Sequence, residues 1–261
     1  MTDLYDEIDN SPLLSFLFHP RHQHSRPPDG AFDLEVPVAN NISITCRAYR
    51  GQEEKPWLLY FHGNGEVVSD YDGIAPLYNQ RGLNLLVADY RGYGASGGQP
   101  TFKNMVGDAV KIFDYVTDQV SECKGAKDWY VMGRSLGSIS ALELASRYPE
   151  RVKGLIIESG FISVAGLIRH LGLPSPGDLI PLEEEYGSLT KRIKLPALVI
   201  HGEHDRLVPL EQGKDLFNGL GTENKALVVI PGADHNNIMF VDSKKYIDAI
   251  DNFVSGSLKG S

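Results

Sequence analysis

The segment "DWYVMGRSLGSISALELASRYPE" (residues 128–150) decides the fold. Its first six residues form a short apolar run that is typical of a buried strand, and the residues from Leu136 onward have apolar positions at helical spacing. Pro149 lies just past the last of these positions, as expected at a helix end. Between the two patterns, "GRSLG" places Ser135 at a turn, where the flanking glycines allow the strand and helix backbones to approach closely. The segment therefore predicts a strand, a sharp turn and a helix.

The same alternation continues on both sides of this segment. Short Val-, Ile- and Leu-rich runs predict strands, and longer stretches between them have helical spacing. The predicted strands are 57–63, 84–90, 129–133, 154–160, 197–202 and 226–232, and the predicted helices lie near 70–81, 101–120, 136–148, 211–219 and 242–254. Near-continuous apolar runs are typical of parallel strands buried on both faces.

Two further strands precede these. Residues 33–38 and 42–50 indicate an antiparallel pair joined by Asn40-Asn41, a dipeptide that favours turns. We therefore expect an α/β fold with a mostly parallel sheet of about eight strands, two leading antiparallel strands and helices on both faces.

Chain organisation follows from these patterns. We expect residues 1–30 to form an N-terminal arm and linker, and residues 31–261 to form a single domain. One connection, at about 161–195, carries three prolines and is longer than most crossovers. Its first half is apolar, so we expect a short lid insertion that covers a site.

Composition excludes several function classes. The formal net charge of −9 and a single short basic cluster at 191–194 disfavour nucleic-acid binding. Cys46 and Cys123 provide neither a disulfide framework nor a metal-ligand spacing, which indicates a reducing, cytoplasmic location. The N-terminus is acidic where a secretion signal is basic, and its apolar run at 13–18 is too short to span a membrane. We expect no cofactor, no metal and no integral membrane segment.

A second Gly-x-Ser-x-Gly pentapeptide, "GASGG" (residues 94–98), makes Ser96 a rival to Ser135. It lies in "GYGASGGQP", a glycine-rich loop, and the next helix begins no earlier than Thr101. Ser135 has a strand before it and a helix directly after it, and the helix N-terminus brings free N–H groups close to the serine oxygen. We therefore choose Ser135 as the candidate nucleophile.

A nucleophilic serine needs a base, and the base needs a group that orients it. In hydrolases with a strand–turn–helix nucleophile, the chain order is serine, carboxylate, histidine. Asp205 and His235 follow predicted strands in that order, and the carboxyl ends of parallel strands gather at one sheet edge. We predict Ser135 as nucleophile, His235 as general base and acid, and Asp205 as the orienting carboxylate.

Alternatives to this assignment remain open. Glu158 ends another predicted strand and is a second candidate carboxylate, and Asp234 is adjacent to His235. His204 is a second candidate base, although it would break the chain order. A metal site formed by His201, His204 and Asp205 is also conceivable, but no further ligand cluster completes it.

Acyl transfer also needs N–H donors for the oxyanion of the tetrahedral intermediate. One donor is expected from the residue after the nucleophile, Leu136, and the other from the loop after the third strand. That loop is "FHGNGE" (residues 61–66), where Asn64 is our choice of donor. We expect His62 to anchor the loop rather than to react.

Five motifs together resemble the α/β-hydrolase superfamily: "HGNG" at 62–65, "DYRGYGASGG" at 89–98, "GRSLG" at 133–137, "HGEHD" at 201–205 and "ADHNN" at 233–237. The resemblance covers nearly the whole chain from residue 31. Within the superfamily, the chain is similar to the short-lidded branch of depalmitoylase-like and monoacylglycerol-lipase-like enzymes. It implies the α/β-hydrolase fold and hydrolysis of a small-molecule acyl ester or thioester through an acyl-enzyme.

Two other function classes stay open beside the serine hydrolase. One is a catalytically silent α/β-hydrolase fold that binds a small molecule, and the other is a peptidase acting on short peptides. Fold alone does not separate these hypotheses. The sequence therefore predicts a serine carboxylesterase or thioesterase as its leading function.

Overall fold

The computed structural model describes residues 2–118 and 128–257, so Cys123 lies outside the described residues. Eight strands form one sheet in these ranges. Their bounds are β1 Ala31–Ala39, β2 Ile42–Tyr49, β3 Trp57–Phe61, β4 Asn84–Ala88, β5 Trp129–Arg134, β6 Val152–Glu158, β7 Ala197–Gly202 and β8 Lys225–Ile230. Across the sheet they follow the order β1-β2-β4-β3-β5-β6-β7-β8.

The directions of the strands match the predicted fold class. Strand β2 pairs antiparallel with both β1 and β4, and the remaining pairs from β4 to β8 are parallel. The β1–β2 turn includes Asn41 at φ 58°, a left-handed conformation that asparagine tolerates better than most residues. The predicted α/β-hydrolase sheet with its two leading antiparallel strands is confirmed.

Helices connect the strands and cover the sheet. Their bounds are α1 Asp6–Asp9, α2 Leu14–Leu17, α3 Ala75–Asn79, α4 Phe102–Asp118, α5 Ser138–Arg147, α6 Val164–His170, α7 Ile180–Arg192, α8 Leu210–Gly219, α9 Ile238–Val241 and α10 Ser243–Val254, with 3-10 turns at Thr2–Tyr5, Val68–Tyr71 and Ser135–Gly137. Most of the predicted helices are present, although the last two residues of the one predicted over 101–120 lie outside the described ranges.

Two segments differ from expectation. The helix predicted near 70–81 is divided into the 3-10 turn Val68–Tyr71 and the short α3. Gly73 lies between the two pieces, and Pro76, at the start of α3, has no amide N–H to continue a longer helix. The connection at about 161–195, for which no helix was predicted, contains α6 and α7.

The core lies on both faces of the sheet. Successive residues of β3 alternate between the faces, so that Leu59 and Phe61 pack with α4 and α5 while Leu58 and Tyr60 pack on the side of α3 and α10. Burial on both faces explains why the strand segments are apolar without alternation. It also leaves the carboxyl ends of the strands as the edge where polar loops meet.

The N-terminal arm packs on the domain. The side chains of Tyr5 and Ile8 are fully buried, and the Asp9 carboxylate accepts hydrogen bonds from the backbone amides of Phe102 and Lys103 at 2.9 and 3.0 Å. A carboxylate at a helix N-terminus satisfies orphan N–H groups and interacts favourably with the helix dipole. The arm therefore caps α4 and contributes to the core.

Candidate active site

Ser135 lies in a strained turn at the carboxyl end of β5. Its φ is 50°, a left-handed value that is costly for a residue other than glycine. A Cβ atom at Gly133 would lie 2.4 Å from the carbonyl oxygen of Gly137, and one at Gly137 would lie 2.1 Å from that of Phe61. Only glycine fits at these two positions, which explains the motif. The helix predicted from residue 136 begins instead as a 3-10 turn, with α5 starting at Ser138.

Three of the predicted residues lie in hydrogen-bond contact. His235 Nε2 is 3.0 Å from Ser135 Oγ, and His235 Nδ1 is 2.7 Å from Asp205 Oδ2. All three residues are buried. They come from the ends of β5, β7 and β8, as the sheet-edge argument expects. In this geometry Nδ1–H donates to the carboxylate and Nε2 can accept the serine proton.

Asp205 is held by its own turn as well as by His235. Its Oδ1 accepts hydrogen bonds from the amides of Leu207 and Val208 at 3.0 and 2.8 Å. Burial alone would raise the pKa of the Asp205 carboxyl, but the hydrogen bond and charge of His235 and the Val208 amide hold that pKa below its ordinary value. Asp205 is therefore an ionised carboxylate that can orient the ring of His235.

The alternative carboxylates and base are engaged elsewhere. Glu158 accepts from Tyr246 Oη at 2.6 Å and from Arg134 Nε at 3.3 Å, and it is Asp205 that bonds His235 Nδ1. Asp234 accepts the amide of Asn236 within its own turn, at 2.8 Å. The side chain of His204 is exposed.

Ser96 supports the neighbouring strand. Its Oγ accepts the backbone amide of Thr45 in β2 at 2.9 Å, and the residue is buried. This bond attaches the glycine-rich loop to β2. Ser96 is therefore bonded as a structural residue, whereas the serine that bonds His235 is Ser135.

The loop after β3 carries the predicted second N–H donor. His62 anchors this loop, since its ring contacts the Asp89 carboxylate at 3.1 Å and the Gly63 carbonyl at 2.8 Å. Leu136 follows Ser135 in the 3-10 turn, where the first amides of a helix lack intrahelical partners. The side chain of Asn64 bonds to Tyr93 Oη and to the N-terminal arm.

Sequence reasoning missed two charged residues that join these loops. Arg134, which precedes the nucleophile, donates to the His235 carbonyl at 2.8 Å and to Glu66 Oε1 at 2.6 Å. Glu66 Oε2 accepts the Gly63 amide at 2.7 Å. Burial raises the pKa of Glu66, but the charge of Arg134 and the hydrogen bonds from the Gly63 amide and Tyr71, acting together with other neighbours, hold that pKa below its ordinary value. A charged residue at the end of an apolar strand was the available signal.

Within the described ranges, no set of three or more His, Cys, Asp or Glu side chains is arranged to hold a metal ion. In the same ranges, no helix combines the length and the apolar composition that a membrane crossing requires.

Comparisons with known proteins agree with the fold. A family model described as "Serine aminopeptidase, S33" matches residues 52–179 and 178–240. The chain is 30% identical to protein bem46 of Schizosaccharomyces pombe, over 88% of this chain and 80% of that protein. Among solved structures, the esterase Pf2001 of Pyrococcus furiosus aligns with a TM-score of 0.74 and 20% identity, covering 92% of this chain and 98% of that one. Est1E of Butyrivibrio proteoclasticus, solved with ferulic acid, aligns with a TM-score of 0.71 and 19% identity, covering 86% and 98%. The match of the family model over most of the chain, together with the 30% identity to bem46, shows that this protein belongs to the S33 family of the α/β-hydrolase superfamily.

Proposed function

We propose that the protein is a serine hydrolase that cleaves a carboxylic ester or thioester through an acyl-enzyme. The observation that carries this proposal is the line of contacts from Ser135 Oγ to His235 Nε2 and from His235 Nδ1 to Asp205 Oδ2. The order of these groups provides a nucleophile, a base and an orienting carboxylate, which is the minimum that acyl transfer needs.

In the proposed first step, His235 Nε2 takes the hydroxyl proton of Ser135 as Oγ attacks the acyl carbonyl carbon. The imidazolium is stabilised by Asp205 and then gives its proton to the departing alkoxide or thiolate. In the second step, water loses a proton to His235 and attacks the acyl carbon. His235 then returns this proton to Ser135 Oγ as the bond between Oγ and the acyl carbon breaks, which releases the acid. Every proton removed is thereby returned.

The oxyanion formed in both steps needs preorganised donors. We assign this role to the backbone N–H groups of Leu136 and Asn64. Leu136 supports the assignment because it lies at the N-terminus of a 3-10 turn that continues into α5. The assignment of Asn64 is supported by its loop, which is fixed by His62 beneath it and by Glu66 beside it.

An acyl chain is the substrate portion that the surroundings favour. Helices α6 and α7 form the proposed lid, and the His170 ring contacts the carbonyl of Arg206 in the Asp205 loop at 3.1 Å. Leu171 and Leu207, next to this contact, are 40% and 45% exposed, so apolar surface flanks the loop. A cleft of about 600 Å³ lies beside His235 and includes Leu207.

We further propose a reducing, cytoplasmic location, which the buried free thiol of Cys46 supports.

The test is covalent labelling with a fluorophosphonate, followed by turnover of p-nitrophenyl esters of increasing chain length. Wild type and the matched control Ser96→Ala should both be labelled and active, whereas Ser135→Ala should lose both properties. Labelling that survives Ser135→Ala and disappears in Ser96→Ala would contradict the proposal.

The orienting carboxylate is tested separately. Asp205→Asn should retain the fold and lower kcat by about 10⁴-fold, because the amide does not hold His235 in the same tautomer. Glu158→Gln should have a much smaller effect on kcat. The opposite result would assign the carboxylate to Glu158.

A short-peptide aminopeptidase is a second candidate, because the matching family is described by that activity. Turnover of aminoacyl-naphthylamides by wild type, lost in Ser135→Ala and faster than ester turnover at equal concentration, would favour it. Ester turnover without amide turnover would exclude it.

A further inference from the structure

The end of the N-terminal arm lies against the loop that carries Asn64. We call residues 17–21 the strap. The Asn64 side chain bonds the strap through both of its polar atoms: Nδ2 donates to the Leu17 carbonyl at 2.9 Å, and Oδ1 accepts the backbone amide of His19 at 2.9 Å. Because an amide side chain with both ends bonded has one orientation, these bonds fix the side chain of Asn64 relative to the strap.

Tyr93 completes the attachment from the other side. Its hydroxyl donates to Asn64 Oδ1 at 2.6 Å and accepts the amide of His19 at 3.1 Å. Asn64, His19 and Tyr93 therefore form a closed triangle of hydrogen bonds. Such networks hold their members more firmly than isolated bonds do.

Arg21 fastens the strap at its far end. Its guanidinium donates to the Gly65 carbonyl at 3.0 Å and pairs with Asp70 at 2.7 Å, while its own carbonyl accepts the amide of Gly94 at 2.7 Å. Gly65 directly follows Asn64, so the strap contacts the loop both at the residue of the candidate donor and at the next residue.

The near end of the strap is fixed by the core. Phe18 is buried, and its ring centroid lies 4.9 Å from that of Phe102 at the start of α4. Asp9 caps the same helix. The strap is thereby tied to a helix at one end and to the Asn64 loop along its length.

We propose that the strap positions the backbone N–H of Asn64 for the oxyanion, so that the N-terminal arm is part of the apparatus for turnover. The inference rests on the proposed function. A preorganised donor is effective only when it is aimed at the charge that develops in the transition state, and small displacements are costly. Leu17, His19 and Arg21 act as positioning residues through contacts with the loop.

The sharpest test removes one N–H from the strap. His19→Pro deletes the amide that donates to Asn64 and Tyr93, and His19→Ala is the matched variant that retains it, since the imidazole is exposed. The preceding residue, Phe18, has φ −119° and ψ 134°, which is the extended geometry preferred before proline. Activities are compared between these two variants.

Removing one oxyanion donor outright costs roughly 100- to 1,000-fold in kcat, and displacing it costs part of that, so we expect kcat of His19→Pro to be about tenfold below that of His19→Ala. KM should be unchanged, because the donor stabilises the oxyanion of the transition state more than it stabilises the bound ester. A trifluoromethyl ketone, which forms a tetrahedral anion on Ser135, should bind more weakly by the same factor.

A second variant protects the test against misfolding. Asn64→Asp retains the shape and the acceptor for His19, but it replaces Nδ2 with an oxygen that faces the Leu17 carbonyl. It should show the same loss in kcat and in ketone affinity, with a cooperative thermal transition that demonstrates the fold. Both variants are measured in the full chain.

The outcomes separate the two proposals. If Ser135→Ala retains turnover, the proposed function and the strap inference both fail. If Ser135→Ala is inactive while His19→Pro and Asn64→Asp match His19→Ala in kcat and ketone affinity, only the strap inference fails. A higher KM with an unchanged kcat would also overturn it, because that result would indicate a lost contact with substrate rather than a displaced oxyanion donor.

Discussion

The guanidinium of Arg134 donates a hydrogen bond of 2.8 Å to the carbonyl oxygen of His235. The residue before the candidate nucleophile thus holds the loop that carries the candidate base. The same guanidinium bonds Glu66, whose other oxygen accepts the Gly63 amide. One side chain therefore joins three loops of the site, and its loss has consequences for both stability and geometry.

Arg134→Gln should lower the free energy of unfolding by about 3–5 kcal/mol, because it leaves the buried carboxylate of Glu158 and the half-buried carboxylate of Glu66 without their cation. Adding Glu66→Gln to Arg134→Gln should recover part of this loss. Urea denaturation of the two variants measures the difference. The control is Arg192→Gln, which breaks an exposed pair with Glu185 and should cost at most about 1 kcal/mol.

The strain at Ser135 predicts a difference in stability between two variants of this residue. Because φ is 50° there, Ser135→Gly should be more stable than Ser135→Ala by about 1 kcal/mol. Thermal unfolding followed by circular dichroism measures the two free energies. Equal stabilities would show that the turn relaxes without its serine.

Gly137 tests the close approach beneath the turn. A Cβ there would lie 2.1 Å from the carbonyl oxygen of Phe61, so Gly137→Ala should prevent stable folding or displace the turn. Gly107, within α4, has no atom within 4 Å of such a Cβ, and Gly107→Ala should raise the free energy of unfolding by roughly 0.5–1 kcal/mol. A folded, active Gly137→Ala enzyme would refute the packing argument.

His201 predicts a pH-dependent term in stability. Burial lowers the pKa of His201 from its ordinary value of 6.5, outweighing its contacts with Val208 and Asp205. The unfolded chain then binds the proton more readily, so this residue's contribution is fully present above about pH 6.5 and is lost as pH falls below it.

The measurement is the free energy of unfolding between pH 7 and pH 5, for wild type and His201→Gln. The wild-type value should fall more steeply, because glutamine does not titrate and can still donate to the Val208 carbonyl. Parallel slopes would show that His201 does not contribute. The Asp205 carboxyl, whose pKa is depressed, should act only in more acidic solution, where its contribution is lost as pH falls through that lower pKa.

Local pattern was sufficient for most of the fold. The apolar runs predicted the six strands β3 to β8, because strands buried on both faces admit few polar residues, and the Asn40-Asn41 turn indicated the leading antiparallel pair. The turn at Ser135 was found because its glycines have no substitute at that approach distance. The residues predicted for the triad were reached from chain order, since parallel strands bring their carboxyl ends to one edge.

Features that depend on distant partners were not accessible in this way. Nothing local in "FHGNGE" shows that the Asn64 side chain bonds to the arm, because its partners are 45 and 47 residues away in sequence. Arg134 and Glu66 belong to no repeating pattern of apolar and polar residues. Their roles depend on which loops the fold brings together. The break before α3 depends on Gly73 and Pro76. The prediction of one helix near 70–81 followed the apolar spacing and gave these two residues too little weight.

The arm also has a consequence for the order of folding. The arm precedes its partners Asn64, Phe102 and Tyr186 in the sequence, and the Tyr5–Tyr186 contact joins residues 181 positions apart. Contacts of such long sequence separation form late. During synthesis, Tyr5 is therefore without its partner Tyr186 until the proposed lid helix α7 has emerged. Because Asp205 and His235 follow α7 in the sequence, the attachment of the arm to α7 precedes the completion of the candidate site during synthesis.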